Sequence, residues 1–399
     1  MKKICIVTST RADYGLLKPV IQRVIEDSDF ELDVIATGMH LCPEFGLTYK
    51  DIENDGFKIA EKIEIALSSD TSAGMTKTMG LTMISFADYF ERNRPDMLII
   101  DSDRFEMFAC AAAAATARIP ISHMSGGDTT EGAIDEFCRH SITKMSYLHF
   151  TSTEEYKRRV EQLGENPERV FNVGSTGVEN ILSTELLSLS QLEDSIGFKL
   201  GDSFALVTFH PATMDAEDSV PQLEQLFNAL DKFSDIRYIF TKANADENGR
   251  AINLAIDEYI STRDNCIAFA SLGLKRYLSA LKWAKMVIGN SSSGIYEAPS
   301  FRIPTINIGD RQKGRIQADS VINCNPFTCE IVEAINKGLA IDCSATINPY
   351  MGKNPSKDIV RIVKEFLLNN KIDLKKKFWD IQTHHESEQK TRFISNESD

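Results

Sequence analysis

Between positions 103 and 140 the chain carries Asp103, Arg104, Glu106, Asp128, Glu131, Asp135, Glu136, Arg139 and His140. Carboxylates gathered beside guanidinium and imidazole groups suit proton transfer, because such neighbours can hold one group as an acid and another as a base. Each residue also has a plain structural use. Asp128 or Thr129 would cap a helix, and Asp135 with Arg139 would make an exposed helical pair. Together, however, they come from adjacent strand ends and one helix, which is where open α/β sheets bind ligands.

The elements that must position them can be read around them. Met97–Ile100 and Ile119–Ser122 are short apolar runs that read as buried strands, each followed by acidic residues. Phe105 to Ala117 lies between them and contains the alanines Ala111 to Ala115, so it reads as a helix lying close on a sheet. After the Gly126-Gly127 turn, Ile134, Phe137, Cys138, Ser141, Ile142 and Met145 recur at helical spacing. Asp135/Arg139 and Glu136/His140/Lys144 line up four apart on other faces of that helix.

A second constellation suits an anion. Gly289-Asn-Ser-Ser-Ser-Gly294 lies between a strand end and a helix start, where backbone amides, the helix dipole and hydroxyls converge. Three serines flanked by glycine exceed what a cap requires, so Ser291, Ser292, Ser293 and Gly294 are candidate phosphate binders. Phe209-His210-Pro211 and Asp310 to Arg315, including Arg311, follow other strands of the same half and open on the same sheet end; Lys242 and Asn244 occupy a similar loop. In the first half, strand Lys3–Val7 leads through Thr8–Asp13 into a helix from about Tyr14 to Glu26. That loop lacks Gly-x-Gly-x-x-Gly and offers Arg11 and hydroxyls instead, with a surface pair between Arg11 and Asp13 as the plain alternative.

The rest of the chain alternates strand and helix. Leu32–Ala36 reads as a strand, Ala66–Thr76 as a mobile loop near the site, and Gly80–Arg94 as a helix packing Leu81, Ile84, Phe86, Ala87 and Phe90. Leu148–Thr151, a helix over Thr153–Leu163 and Val170–Val173 complete the first half. In the second, strands at Phe204–Thr208, Arg237–Thr241, Cys266–Phe269, Met286–Ile288 and Thr305–Ile308 alternate with helices near 218–232, 248–262, 274–284 and 294–300. The pattern predicts an α/β protein with two Rossmann-like domains, residues 1–180 with the acid/base residues and 200–370 with the anion site. A C-terminal helix at about 371–385, centred on Leu374–Ile381, is expected to pack back on the first domain, and 386–399 to form a disordered tail.

Composition narrows the class. At 399 residues two domains are the default. A net charge of −14 argues against a nucleic-acid binder. No apolar run approaches the roughly 18–20 residues that span a bilayer, so a cytoplasmic protein without membrane contact is expected. The eight cysteines are scattered without a Cys-x-x-Cys pair, and the histidines lack metal-motif spacing, which predicts free thiols and no metal.

At Asp103-Arg104-Phe105-Glu106, Gly126-Gly127-Asp128 and Asp135-Glu136-x-x-Arg139-His140-Ser-Ile-Thr-Lys144 the chain resembles the hydrolysing UDP-N-acetylglucosamine 2-epimerases of sialic and related nonulosonic acid biosynthesis. The resemblance continues through Thr10-Arg11-Ala12-Asp13-Tyr14 and Gly289 to Gly294, over roughly residues 1–370 in order. It implies the GT-B architecture, in which the two parallel sheets face across a cleft, with a hinge near Gly174 to Gly177. It implies a UDP-sugar substrate, no cofactor, and assembly as a homodimer or homotetramer. The implied reaction turns UDP-N-acetylglucosamine and water into N-acetylmannosamine and UDP, by elimination to a 2-acetamidoglycal and then hydration. By the same resemblance Asp103 and Asp135 are acid/base groups; Arg11, Arg104, His210, Ser291, Ser292 and Arg311 meet or stabilise the diphosphate, while Glu297 meets the ribose. Many family members carry Glu where this chain has Ser125, so either Asp128, Glu131 or Glu136 takes over its role or the acid–base division differs here. The alternatives are the same reaction on a UDP-2,4-diacetamido-trideoxyhexose, a GT-B glycosyltransferase using a UDP-sugar, and a catalytically silent nucleotide-sugar sensor.

Overall fold

A computed structural model of the chain describes residues 1–65, 71–101, 103–131, 133–211, 219–243, 249–369 and 372–381. The first half runs β1 (Lys2–Thr8), α1 (Arg11–Glu26), β2 (Phe30–Thr37), α2 (Tyr49–Asn54), β3 (Ile59–Ile63), α3 (Ser72–Asn93), β4 (Met97–Asp101) and α4 (Phe105–Thr116). It continues with β5 (Ile121–Met124), α5 (Asp135–Met145), β6 (Leu148–Thr151), α6 (Glu154–Gln162) and β7 (Val170–Asn172). All these strands pair in parallel, in the order β3-β2-β1-β4-β5-β6-β7.

Two helices, α7 (Thr176–Ser183) and α8 (Leu189–Ile196), lead into the second half. It runs β8 (Phe204–Thr208), α9 (Ser219–Leu230), β9 (Arg237–Thr241), α10 (Gly249–Ile260), β10 (Cys266–Phe269), α11 (Gly273–Trp283) and β11 (Met286–Gly289). Then come α12 (Ser293–Tyr296), β12 (Thr305–Ile308), β13 (Val321–Cys324), α13 (Thr328–Ala340) and α14 (Pro355–Leu368). This sheet is also parallel, in the order β10-β9-β8-β11-β12-β13. Two doubly wound sheets make the two Rossmann-like units that the alternation predicts, in the GT-B-like fold that the resemblance implies.

Each sheet is buried on both faces, as its continuous apolar strands require. Ile4, Ile6, Val34 and Ile99 face α1, while Cys5, Val7, Leu98 and Ile100 face α3 and α4. In the second half, Ala205, Val207, Tyr238 and Ile288 pack under α9, α10 and α13, and Leu206, Ile239 and Val287 under α8 and α11. Where the halves meet, Tyr156, Val178, Ile295 and Tyr350 form a separate apolar cluster.

Four expectations are corrected. The amphipathic helix α14 does not belong to the second core, as a 200–370 domain would have it. Its Ile359, Ile362 and Val363 pack in the first core, and Lys364 pairs with Asp27 at 2.9 Å. Residues 372–381 pack back on the first half as expected, but as an extended strap without helix: the Trp379 amide donates to Gly164 O at 2.9 Å and Lys376 pairs with Glu165 at 2.7 Å. α3 begins at Ser72, capped by Thr71, so the described end of the expected 66–76 loop is helical. Its inward face is Met75, Thr78, Thr82, Phe86 and Phe90, leaving Ile84 65% exposed; likewise Phe137 is exposed at 58% on α5. Residues 66–70 and the 386–399 tail lie outside the described residues.

No described helix is long and apolar enough to cross a membrane. All eight cysteines are free, with Cys329 exposed.

Candidate functional site

Strand order reverses between β1 and β4 in one sheet and between β8 and β11 in the other. Crevices open at such reversals, because the flanking loops turn in opposite directions. Arg11 follows β1 and Asp103 follows β4; His210 follows β8 and Ser291 follows β11. Both halves therefore bring the predicted residues to a switch point.

The β1 loop is held by Asp13, which is buried and accepts from Thr8 Oγ1 at 2.5 Å, from the Ser9 amide at 2.9 Å and from the Thr10 amide at 3.0 Å. This capping box leaves no surface pair between Asp13 and Arg11. Arg11 instead reaches the carbonyl oxygen of Lys242 in the other half at 3.4 Å.

Arg139 is the hub of the acidic cluster. It is 1% exposed and donates to Asp103 Oδ2, to Thr130 Oγ1 at 2.5 Å, to Glu136 Oε2 at 2.9 Å and to the Asp128 carbonyl oxygen at 3.1 Å. A buried guanidinium is tolerable only when so paired. Glu136 also accepts from the Thr130 amide at 2.6 Å and lies 3.1 Å from His140 Nε2. Burial alone would raise the pKa values of Glu136 and Asp103. For Glu136, His140, Thr130 and Arg139 outweigh burial; for Asp103, Arg139 and Arg315 do, and both end below the ordinary range. Arg104 is 9% exposed and pairs with the buried Glu106 at 2.7 Å.

Asp128 has the opposite character. It is 3% exposed, and burial pushes its carboxyl up to about 6 despite the pull of Arg139 and Arg315, with Asp103 adding repulsion. Asp101 is 2% exposed and stands at about 7, again through burial, although Ser125 Oγ donates to it at 2.5 Å. One cluster thus holds carboxylates that stay ionised beside carboxylates that exchange protons near neutral pH.

In the second half Asn290 fixes the turn. Its side chain accepts from the His210 amide at 2.7 Å and donates to the His210 carbonyl at 2.8 Å. Its own carbonyl takes Gln312 at 2.7 Å and Arg311 at 3.1 Å. Gly289, at φ 130°, lies so close to β8 that a Cβ would run into the Thr208 carbonyl oxygen. Ser291, Ser292 and Ser293 remain partly exposed, and Ser293 Oγ accepts from Tyr277 at 2.6 Å. The helix expected near 294–300 is a single turn over Ser293–Tyr296, continued as 3-10 helix over Ala298–Phe301. Burial raises the pKa of Glu297, whose Oε2 has no hydrogen-bond partner among the described residues.

These two constellations meet. Tyr296 of α12 donates its hydroxyl to Asp128 Oδ2, and Arg315 donates to the Thr129 carbonyl at 2.9 Å. A Cβ on Gly314 would sit 3.0 Å from Glu131 Oε1, so Glu131 also faces the second half. Asp135 and Arg311 line one small cavity with Pro211. Beside Arg11, a larger cavity of about 350 Å³ is bounded by Met39 and Phe45 from the first half and by Lys242, Leu254 and Ala270 from the second. Lys242 itself turns to Asp257 at 2.6 Å, and Asn244 lies outside the described residues.

Motif and spacing do not single out Asp101, Ser125, Tyr296 or Arg315 as parts of this cluster. Asp101 had a signal, being a charge at the end of an apolar run. Arg315 lies in a loop placed at the sheet end by its strand, but its partner Thr129, like the partner of Tyr296, belongs to the other half.

Two parallel sheets with charged and anion-suited loops at both switch points define a class of two-domain α/β proteins that hold a ligand between their halves. Within it, a family profile described as UDP-N-acetylglucosamine 2-epimerase matches residues 22–364, and the chain belongs to that family. The GDP/UDP-N,N'-diacetylbacillosamine 2-epimerase (hydrolyzing) of Campylobacter jejuni is 46% identical over 323 residues, 81% of this chain and 84% of that one. The polysialic acid biosynthesis protein P7 of Escherichia coli is 39% identical over 387 residues, 96% of this chain and 98% of that one. Among solved structures, UDP-GlcNAc 2-epimerase from Neisseria meningitidis bound to UDP-GlcNAc matches with TM-score 0.76 at 18% identity, covering 91% of this chain and 100% of that one.

Proposed function

We propose that the chain is a hydrolysing 2-epimerase of UDP-2-acetamido sugars, releasing UDP and the free sugar inverted at C2. The observation that carries this reading is the hydrogen bond from Tyr296 to Asp128, which joins the carboxylate cluster of one half to the turn after the serines of the other. A single sugar nucleotide can then touch both.

In this reading the serine turn, His210, Arg311 and Arg11 hold the diphosphate, and the unpartnered oxygen of Glu297 accepts from ribose hydroxyls. Asp128, more basic than Asp103 through burial, takes the C2 proton as UDP leaves C1 and the glycal forms. Asp103 remains ionised against Arg139 and fixes it, with Glu136 and His140 behind. Asp135, beside Arg311 in the small cavity, returns a proton to C2. Glu131 closes the cleft toward Gly314.

The family resemblance points to UDP-N-acetylglucosamine as substrate. The 46% identity to the Campylobacter jejuni enzyme favours a 2,4-diacetamido sugar such as UDP-N,N'-diacetylbacillosamine, while the 39% likeness to the P7 protein supports the sialic acid assignment. Incubating the protein with each nucleotide sugar in heavy water decides between them. The expected result is UDP and a free 2-epimerised sugar with deuterium at C2, from one sugar much faster than from the other. A product still attached to UDP, one formed only with an acceptor, or no UDP from either sugar would sink the proposal.

A further inference from the structure

Asp101 and Ser125 have no part in the steps above. Asp101 ends β4, where it lies in register with Met124 of β5, and Ser125 is the next residue on that neighbouring strand end. Ser125 Oγ donates to Asp101 Oδ1 at 2.5 Å, and Asp101 is 2% exposed. Ser125 itself is partly exposed, and its amide is pinned to the Phe150 carbonyl at 2.9 Å. It is held at φ 60°, a left-handed conformation uncommon for serine. A hydroxyl that gives its proton to a carboxylate has only lone pairs left on its outer side, and accepts from whatever stands there.

Serine alone is a poor base. Backed by a carboxylate, it can take a proton from another hydroxyl while its own moves inward, leaving no charge on the serine. Resting on the reading under Proposed function, we propose that Ser125 and Asp101 form a proton relay serving the water that adds to the glycal. In that step a water O–H bond breaks and the water oxygen bonds to C1. The water proton passes to Ser125 Oγ and the Ser125 proton passes to Asp101. C2 meanwhile takes a proton from a protein carboxylic acid, so the double bond is consumed and charge is conserved.

The charged groups around Asp101 are Asp13 at the start of α1, Asp103 and Asp128, and all repel a second negative charge. Together with burial, the larger effect, they bring its carboxyl to about 7, so the inner end of the relay exchanges protons under neutral conditions.

Ser125→Gly separates the relay from the scaffold, because glycine adopts φ 60° without strain. The variant should still fold, because the backbone strain relieved at φ 60° offsets part of the hydrogen bond lost to Asp101. Formation of hydrated sugar should fall about 100-fold, the scale of a lost general base, and further than UDP release, so that 2-acetamidoglycal accumulates and is seen by mass spectrometry. Asp101→Asn should accumulate the same glycal. Hydrated sugar at the wild-type rate in either variant, or equal losses of sugar and UDP without glycal, overturns the relay. If the wild-type protein releases no UDP from any UDP-2-acetamido sugar, the function it serves is what fails. The pair is then judged without substrate, by carbon-13 NMR of labelled aspartate. One carboxyl should titrate near 7 and rise further in Ser125→Gly, since the lost hydrogen bond favours the ionised form. Its absence overturns the pair as well.

Discussion

Where the first half of the molecule meets the cleft it presents charge: Arg139 bonded to Asp103 and Glu136, with Asp101 and Asp128 close enough to repel Asp103 and each other. Where the second half meets it, the fixed turn is mostly neutral, with Asn290 joined to both backbone groups of His210 and with serines beside Gly289. The difference is one of task. Buried charges reset one another's pKa values, which proton transfer needs and ligand binding does not. Backbone amides and serine hydroxyls held in a fixed turn, with Arg311 bonded to it, suit an anion and call for no shifted carboxylate.

The largest test of this contrast is on stability. Arg139→Met strips Asp103 and Glu136 of their shared partner inside the protein, and breaking such a buried set typically costs roughly 3–5 kcal/mol. Asn290→Ala removes neutral hydrogen bonds and leaves the His210 backbone groups unpaired, for which about 1–3 kcal/mol is expected. Urea unfolding of both variants measures the difference. Equal losses, or a larger one for Asn290→Ala, would erase the distinction between the two faces.

A smaller test is on kinetics. Under the proposed function, Asp128→Asn should lower kcat by roughly 10²–10⁴ and leave UDP affinity unchanged. Wild-type kcat/KM should fall as pH drops below about 6, because protonation removes the base. Replacing Ser291 and Ser292 together by Ala should raise KM by roughly ten-fold with little change in kcat, as expected for lost hydrogen bonds to a charged group. If the serine changes act on kcat and the aspartate change on KM, the assignment of the faces is reversed.

How far the sequence reaches into this arrangement differs by element. The strands Phe204–Thr208, Arg237–Thr241, Cys266–Phe269 and Thr305–Ile308 are legible residue for residue, because each is an apolar run bounded by polar turns. The edge strand Val321–Cys324 is not, since Asn323 is exposed and the run is short and only half-buried. The start of α3 is hidden because Thr78 and Thr82 occupy its inward face, so no apolar stripe marks it. α14 reads as amphipathic, but which sheet it covers is decided by tertiary packing against α1. Within the site, residue type and order reveal Asp103, Asp128 and the serine turn. They cannot reveal that Ser125 serves Asp101, nor that Asp128 finds Tyr296, because both depend on neighbours brought together only by strand order and by the meeting of the halves.

The smallest effect is expected at the rim. Glu44 and Arg250 pair across the larger cavity at 2.9 Å, but their side chains are 49% and 43% exposed. Water and salt screen such a pair, and each long side chain loses freedom to form it, so Arg250→Ala should change stability by less than about 1 kcal/mol. Tyr296→Phe removes a tie between the same two halves, but one made to the buried Asp128, and should cost more and raise the pH below which activity is lost. The reasoning on the second point is that the Tyr296 hydroxyl donates to the ionised form of Asp128, so its loss favours the protonated one. Thermal unfolding at two salt concentrations separates the two ties. If Arg250→Ala costs as much as Tyr296→Phe and its cost survives high salt, the halves are joined chiefly at the rim, and the buried contact between Asp128 and α12 matters less than its geometry suggests.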